Sequence, residues 1–161
     1  DGDADVPITA RRTARELNLD LPPYVRMLAK DPSVQVRREC AIALRHNPSS
    51  EAPKLWATLA QQHDGQDRWY LEALGIGADR QEDKYFEAWL AAVGSSWNTP
   101  VGRDIIWRSR SVKAPALLAK IIADPATPEA ERPRYFRALD FIKGPEKDAA
   151  VAGLLGDTLA K

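Results

Sequence analysis

Between Trp97 and Lys113 two indoles, Trp97 and Trp107, interleave with Arg103, Arg108, Arg110 and Lys113, and Asp104 is the only acid in the run. Aromatic faces and guanidinium groups at such spacing can stack on bases, hold phosphates or anchor a protein interface. The competing account is structural: the indoles fill gaps in a core while the cations are solvated or pair with nearby acids. The apolar helix side on which these tryptophans fall favours it. A second set, Arg38, Arg45, Arg68, Glu72 and Arg137, recurs on the second helices of a repeated pattern and marks a candidate concave, peptide-holding face.

Catalytic, metal and cofactor chemistry find no residues arranged for them. Cys40 is the single cysteine and sits on the apolar side of its helix, where a thiol behaves as a small hydrophobe. His46 and His63 fall at helix C-termini, positions suited to satisfying terminal carbonyls, and no HExxH, CxxC or clustered His-carboxylate spacing accompanies them. Gly75 and Gly77 follow a helical pattern instead of a strand and lack a third glycine, so they read as a helix C-cap and not as a phosphate loop. The acidic pairs Glu82 with Asp83 and Glu129 with Glu131 lie at helix starts that favour negative charge; nothing points to the burial that would separate their pKa values for acid/base work. Trp56, Trp69 and Trp89 recur in helical segments with Tyr70 and Tyr85 close by; a carbohydrate-binding platform would need them exposed together, whereas Trp56 with Leu55 and Leu59, and Trp89 with Phe86 and Leu90, look like core groups, and core packing is favoured for the set.

The whole-chain balance limits the partners. Lys and Arg number 23, Asp and Glu also 23, so no net field draws the 161-residue chain to nucleic acid or to an anionic membrane. No apolar stretch approaches the roughly 20 residues of a membrane span, and the N-terminal Asp-Gly-Asp-Ala-Asp lacks the pattern of a signal peptide. One cysteine fits a reducing or an oxidising compartment equally.

The elements that must position these side chains are helices. Twelve prolines punctuate the chain, most where a helix should begin and a missing N–H is harmless. Asp31, Asn47, Ser49, Asp64, Asn98, Thr99, Asp124 and Thr127 supply side-chain oxygens at the same places. The pattern predicts helices over 8–18, 22–30, 33–46, 50–63, 66–76, 80–93, 100–109, 113–123, 128–142 and 145–159, and no strand. Superposed second helices show the repeat: Glu-Cys-Ala-Ile-Ala-Leu at 39–44, Trp-Tyr-Leu-Glu-Ala-Leu at 69–74 and Arg-Tyr-Phe-Arg-Ala-Leu at 134–139. Ala43 to Ala73 is one period and Ala73 to Ala138 about two, with 100–109 the divergent unit between. The expected fold is therefore all-α, an α-α superhelix of four to five hairpins in a single domain over 1–161, with 1–19 a partial first repeat.

The Asp31-Pro32 turn, Val36-Arg37 and Ala43-Leu44 resemble a HEAT repeat, in which a turn Asp and an Arg six residues later form a ladder between repeats. Asp31 and Arg37 have that spacing, whereas Asp64 is followed six residues later by Tyr70 and the turn after Asp124 differs in length. Four segments in order, 37–46, 67–78, 97–110 and 134–141, resemble the HEAT-repeat segment of planctomycete-type haem-binding CxxCH proteins, also labelled membrane-bound dehydrogenases. That resemblance implies a piece of a longer bacterial polypeptide, lying between a sugar-dehydrogenase-like propeller and a cytochrome c domain on the periplasmic or cell-envelope side. Haem c would belong to the neighbouring domain, because Cys40 lacks the second Cys and the His of an attachment motif.

The expected function is a non-catalytic scaffold or protein-interaction module without a cofactor of its own, whose partners are protein domains of the same polypeptide. Two alternatives remain. One is a DNA-binding module resembling the HEAT-like alkylpurine DNA glycosylases, motivated by the 97–113 run; the other is a free-standing peptide-binding solenoid using the second-helix face.

Overall fold

A computed structural model describes Thr9 and residues 21–159, with side chains through residue 156. Every regular element among the described residues is helical, and none is a strand. In chain order the α-helices are α1 Pro22–Leu28, α2 Val34–Ala43, α3 Ala52–Ala60, α4 Arg68–Gly77, α5 Glu82–Val93, α6 Pro100–Arg108, α7 Ala114–Ala123, α8 Arg132–Leu139 and α9 Pro145–Leu159. Two short 3-10 turns, Gly94–Trp97 and Glu129–Glu131, precede α6 and α8. The helix expected over 8–18 and the partial repeat over 1–19 lie outside the described residues, Thr9 excepted.

Helix starts follow from local hydrogen bonding. Ser33 accepts from the Val36 N–H, Asp67 from that of Tyr70 and Thr99 from that of Gly102, each satisfying a donor that the first helical turn leaves without a partner. Elsewhere proline occupies the first or second helical position, as in α1, α3, α7 and α8. Several of the anticipated capping oxygens act one step earlier, in Asx turns that bend the chain toward the helix. Asp31 accepts from Ser33 N at 2.8 Å, and Asn47, Asp64 and Asp124 accept from Ser49, Gln66 and Ala126 N at 2.9 Å each.

Helix ends are shorter than the periodicity predicts. The span 50–63 is helical only over Ala52–Ala60, and 128–142 divides into the 3-10 turn and α8. Pro133 near the start of α8 cannot continue a preceding helix, which accounts for that break. His46 and Arg80, with φ of 58° and 61°, reverse the chain beyond α2 and α4 in the left-handed region.

The reading of Gly75 and Gly77 as a C-cap is corrected: both lie inside α4. Gly77 is there because α2 passes so close that a Cβ at residue 77 would sit 2.1 Å from the Ala41 carbonyl oxygen. Bare Cα is what lets the two backbones touch.

The chain divides into two compact units, Asp1–Gly94 and Ser95–Lys161. In the first, α1 packs on α3, α2 on α4 and α3 on α5, alongside the neighbour contacts of α1 with α2, α2 with α3 and α3 with α4. Its core holds Val25, Val36, Cys40, Leu44, Trp56, Leu59, Tyr70, Leu74, Tyr85, Phe86 and Trp89. The second unit repeats the alternation, α6 on α8 and α7 on α9, around Ile105, Ile106, Leu118, Ile121, Tyr135 and Leu139.

Buried polar tips finish the core by donating to carbonyls near helix C-termini, each of which also accepts one backbone N–H. Tyr85 Oη donates to Leu44 O at 2.8 Å, Tyr70 Oη to Leu59 O at 2.8 Å, and Trp56 Nε1 to Leu74 O at 2.9 Å. Burial raises the Tyr70 phenol to about 12 and pushes Tyr85 higher still. His63, also expected at a helix end, is buried and stacks on Tyr70 at 6.3 Å between ring centroids.

Candidate docking surfaces

The basic-aromatic run of 97–113 is largely occupied within its own unit. Arg103, with a side chain only 12% exposed, donates to Asn98 Oδ1 at 2.7 Å, Thr127 Oγ1 at 2.8 Å and Asp124 Oδ2 at 3.1 Å. Arg110 turns back on the end of α6, donating to the carbonyls of Trp107, Arg108 and Ser109, while its guanidinium stands 4.8 Å from the Phe141 ring centre. Trp107 is half-buried; its Nε1 donates to Arg134 O at 3.2 Å, and the Arg134 guanidinium lies over its ring at 4.9 Å while pairing with Asp104 at 2.6 Å. Arg108 and Lys113 are engaged as well. Trp97 is half-buried, and its carbonyl lies where a Cβ on Gly102 would stand. The acids that answer these arginines, Asp124 and Asp104 among them, are spread through the unit, so a cationic stretch of sequence becomes a set of internal locks. Arg103 and Arg110 direct their donors to groups of their own unit, while Lys113 is exposed.

The five second-helix residues separate. Arg38 and Glu72 meet in one cleft of about 400 Å³ between α2 and α4. Arg45 instead joins the ends of those helices: its Nη2 lies 2.6 Å from Asp79 Oδ2, which His46 Nε2 also approaches to 3.0 Å. Hydrogen bonds from Arg45, and after them from His46, hold the Asp79 carboxyl below its ordinary value. Arg68 is exposed at the start of α4. Arg137 belongs to the other unit, in a shallow hollow of about 620 Å³ with Pro133, Phe136 and Lys147.

Asp31 and Arg37 do come together, through the backbone: Arg37 Nη1 donates to the Asp31 and Pro32 carbonyls at 2.7 and 3.0 Å, while the Asp31 carboxylate serves its own turn. The Arg37 guanidinium then stands 5.6 Å from the ring centre of Tyr70 in α4. Tyr70 occupies the position six residues after Asp64, so the contact between successive second helices is cation-π.

One surface residue was misplaced by sequence reasoning. Trp56 and Trp89 are core, at 5% and 2% exposure, but Trp69 is 70% exposed. The signal was present in the helix phase: Tyr70, Leu71, Ala73, Leu74 and Gly77 form the buried side of α4, and Trp69 falls one residue off it, next to the cap Asp67 and Arg68. Its indole lines the α2–α4 cleft together with Ile42, Ala73 and Ile76.

Among the described residues, no group of three or more His, Cys, Asp or Glu is placed to hold a metal ion, and no helix is long and apolar enough to cross a membrane. Set against family models, curated proteins and solved structures, the chain matches none.

Proposed function

We propose that the chain is a non-catalytic helical-repeat scaffold, a HEAT-like solenoid of four to five hairpins that positions a dehydrogenase-like domain and a cytochrome c domain within a larger bacterial protein. The observation that carries the reading is the packing of each helix on the next but one, α2 on α4 and α3 on α5 in one unit, α6 on α8 and α7 on α9 in the other. Stacked hairpins bury each other's apolar sides in this way, and such arrays present long surfaces suited to holding other domains. The residues with chemical potential support a mechanical role: Arg103, Arg110 and Arg134 lock helices together, and Tyr70, Tyr85 and Trp56 close helix ends.

The test is made in the parent reading frame, where the proposal requires propeller-like repeats upstream and a CxxCH motif downstream. Replacing this segment by a flexible Gly-Ser linker of equal length should slow electron transfer from the dehydrogenase-like domain to the haem by at least about tenfold, because a flexible chain does not hold one orientation. The haem spectrum and the dehydrogenase half-reaction should stay unchanged. Undiminished transfer, or a parent lacking both flanking domains, would refute the proposal.

A further inference from the structure

The α8–α9 hairpin carries apolar and charged groups that its own unit leaves unused. Along α8 and its C-cap, Pro133, Phe136, Arg137 and Asp140 recur at intervals of three and four residues and so share one side of the helix. Phe136 is 50% exposed there, while Tyr135, Ala138 and Leu139 take the core positions. On α9, Lys147, Val151 and Leu155 follow one another at intervals of four, and Leu155 is 60% exposed. Lys147 and Val151 line the same hollow of about 620 Å³ as the α8 stripe. Among the described residues Arg137, Asp140 and Lys147 enter no ion pair or side-chain hydrogen bond, although Arg137 and Asp140 stand three residues apart on one helix side. Arg103, Arg110 and Arg134 of the same unit are all engaged.

From this pattern we infer that the α8–α9 face associates with the same face of a second copy of the chain about a two-fold axis, Arg137 of each copy pairing with Asp140 of the other. A two-fold contact demands a patch complementary to itself. Two α8 helices laid antiparallel meet that demand: a guanidinium about one turn before a carboxylate finds the partner's carboxylate opposite it, and the pair occurs twice. Lys147 puts a second cation near each pair, and Phe136 with Leu155 supplies the apolar surface to be covered. Sign selects the occupant. A polyanion would set phosphates against Asp140, and a cationic segment would meet Arg137 and Lys147, so a patch of both signs calls for both signs in return. A second copy brings them at the matching spacing, and a chain whose net charge is zero raises no long-range repulsion against its copy. The 15 residues of α9 span about 22 Å and two helices side by side about 20 Å, so the two faces together bury about 900 Å². That is less than a permanent complex needs and fits a reversible dimer with a Kd on the order of 10–100 µM. The dimer does not depend on the flanking domains that the scaffold function requires, so either can fail alone.

Sedimentation velocity of the full chain between about 5 and 500 µM should show monomer passing into dimer and stopping there. Arg137→Asp and Asp140→Arg make residues 137 and 140 alike in sign, and each should weaken self-association at least about tenfold with an unaltered circular dichroism spectrum. An equimolar mixture of these two variants should form a heterodimer at least as readily as the parent forms its dimer, because opposite charges then face one another again. Altered folding would not produce that rescue. Phe136→Ser should weaken the dimer by a similar factor, and Lys84→Glu, on the exposed side of α5 in the other unit, should leave it unchanged. A chain that stays monomeric at every concentration, association that runs on past the dimer, single variants that dimerise like the parent, or a mixture no better than its components would each overturn the proposal.

Discussion

Replacing Gly77 by alanine isolates the close approach on which the α2–α4 pair depends. The new Cβ would lie 2.1 Å from Ala41 O and 2.9 Å from Ala41 C. Since an ordinary carbon–oxygen contact begins at about 3.3 Å, one helix must withdraw from the other by about 1.2 Å at that point. Neither atom can swing aside, because Ala41 O belongs to the helical backbone of α2. Overpacking of this kind costs about 1–3 kcal/mol. Against it stands the alanine preference of a helix, at most about 1 kcal/mol and less at the last helical residue. The expected net loss is about 1–2 kcal/mol, or a fall of about 2–8 °C in the midpoint of a thermal melt for a chain of this size. Gly153→Ala in α9 is the matched control: its Cβ meets nothing within 4 Å, so only the propensity gain of about 0.5–1 kcal/mol remains. Urea titrations followed by far-ultraviolet circular dichroism give both values. If Gly77→Ala proves as stable as the parent, or Gly153→Ala loses as much, the contact argument is wrong. Gly102→Ala should fall between them, since the Trp97 carbonyl it would strike at 2.0 Å sits in a short 3-10 turn that can yield more readily than α2.

Three further expectations concern the locks. Tyr70→Phe should cost about 1 kcal/mol through the lost bond to Leu59 O. Because burial raises the folded phenol to about 12 from 10.0, its protonated state favours folding fully below pH 10 and progressively less as pH climbs toward 12. The Phe variant should therefore lack that part of the parent's alkaline destabilisation, about 2 kcal/mol, in urea melts between pH 9 and 12; identical alkaline profiles would contradict the assignment. At the acid end, Asp79, Asp124 and Asp64 all titrate below the ordinary 3.8, so their stabilising effect is present above that value and lost as pH falls through the lowered ones. The stability gap between the parent and Asp79→Asn should accordingly close below pH 3.8, and a gap that persists to pH 2 would exclude the Arg45 and His46 contacts as its source. Ser33→Ala, Asp67→Ala and Thr99→Ala should each destabilise by about 0.5–2 kcal/mol in urea melts, with the matching glycine variants losing only a few tenths.

How far the chain could be read from its residues is visible in α4. Asp64 and the apolar pattern beyond it placed the start of the helix near residue 66, although Asp67 is the residue that caps it and Asp64 serves the turn before, and the Ala73-Leu74 pair placed its packing side. Both are local properties: capping and amphipathic phase depend on residues within a few positions of one another. The same locality misled at Trp69, where aromatic character outweighed a phase error of one residue, and at Gly77, where a glycine near a helix end looked like a terminator. The latter's reason is Ala41, far away in sequence and adjacent only after α2 and α4 pack.

The cations make the same division sharper. Composition showed equal numbers of positive and negative groups and so removed a global anionic partner from consideration. Only the tertiary structure decided which positive charges are in use. Arg103 in α6 finds Asp124 and Thr127 on the turn that follows α7, Arg134 in α8 finds Asp104 and Trp107 in α6, and Arg38 lines the same cleft as an open indole. Helix type, polarity and start points are written in short-range spacing; exposure and pairing depend on contacts across about 20–30 residues of chain, which no window of sequence contains.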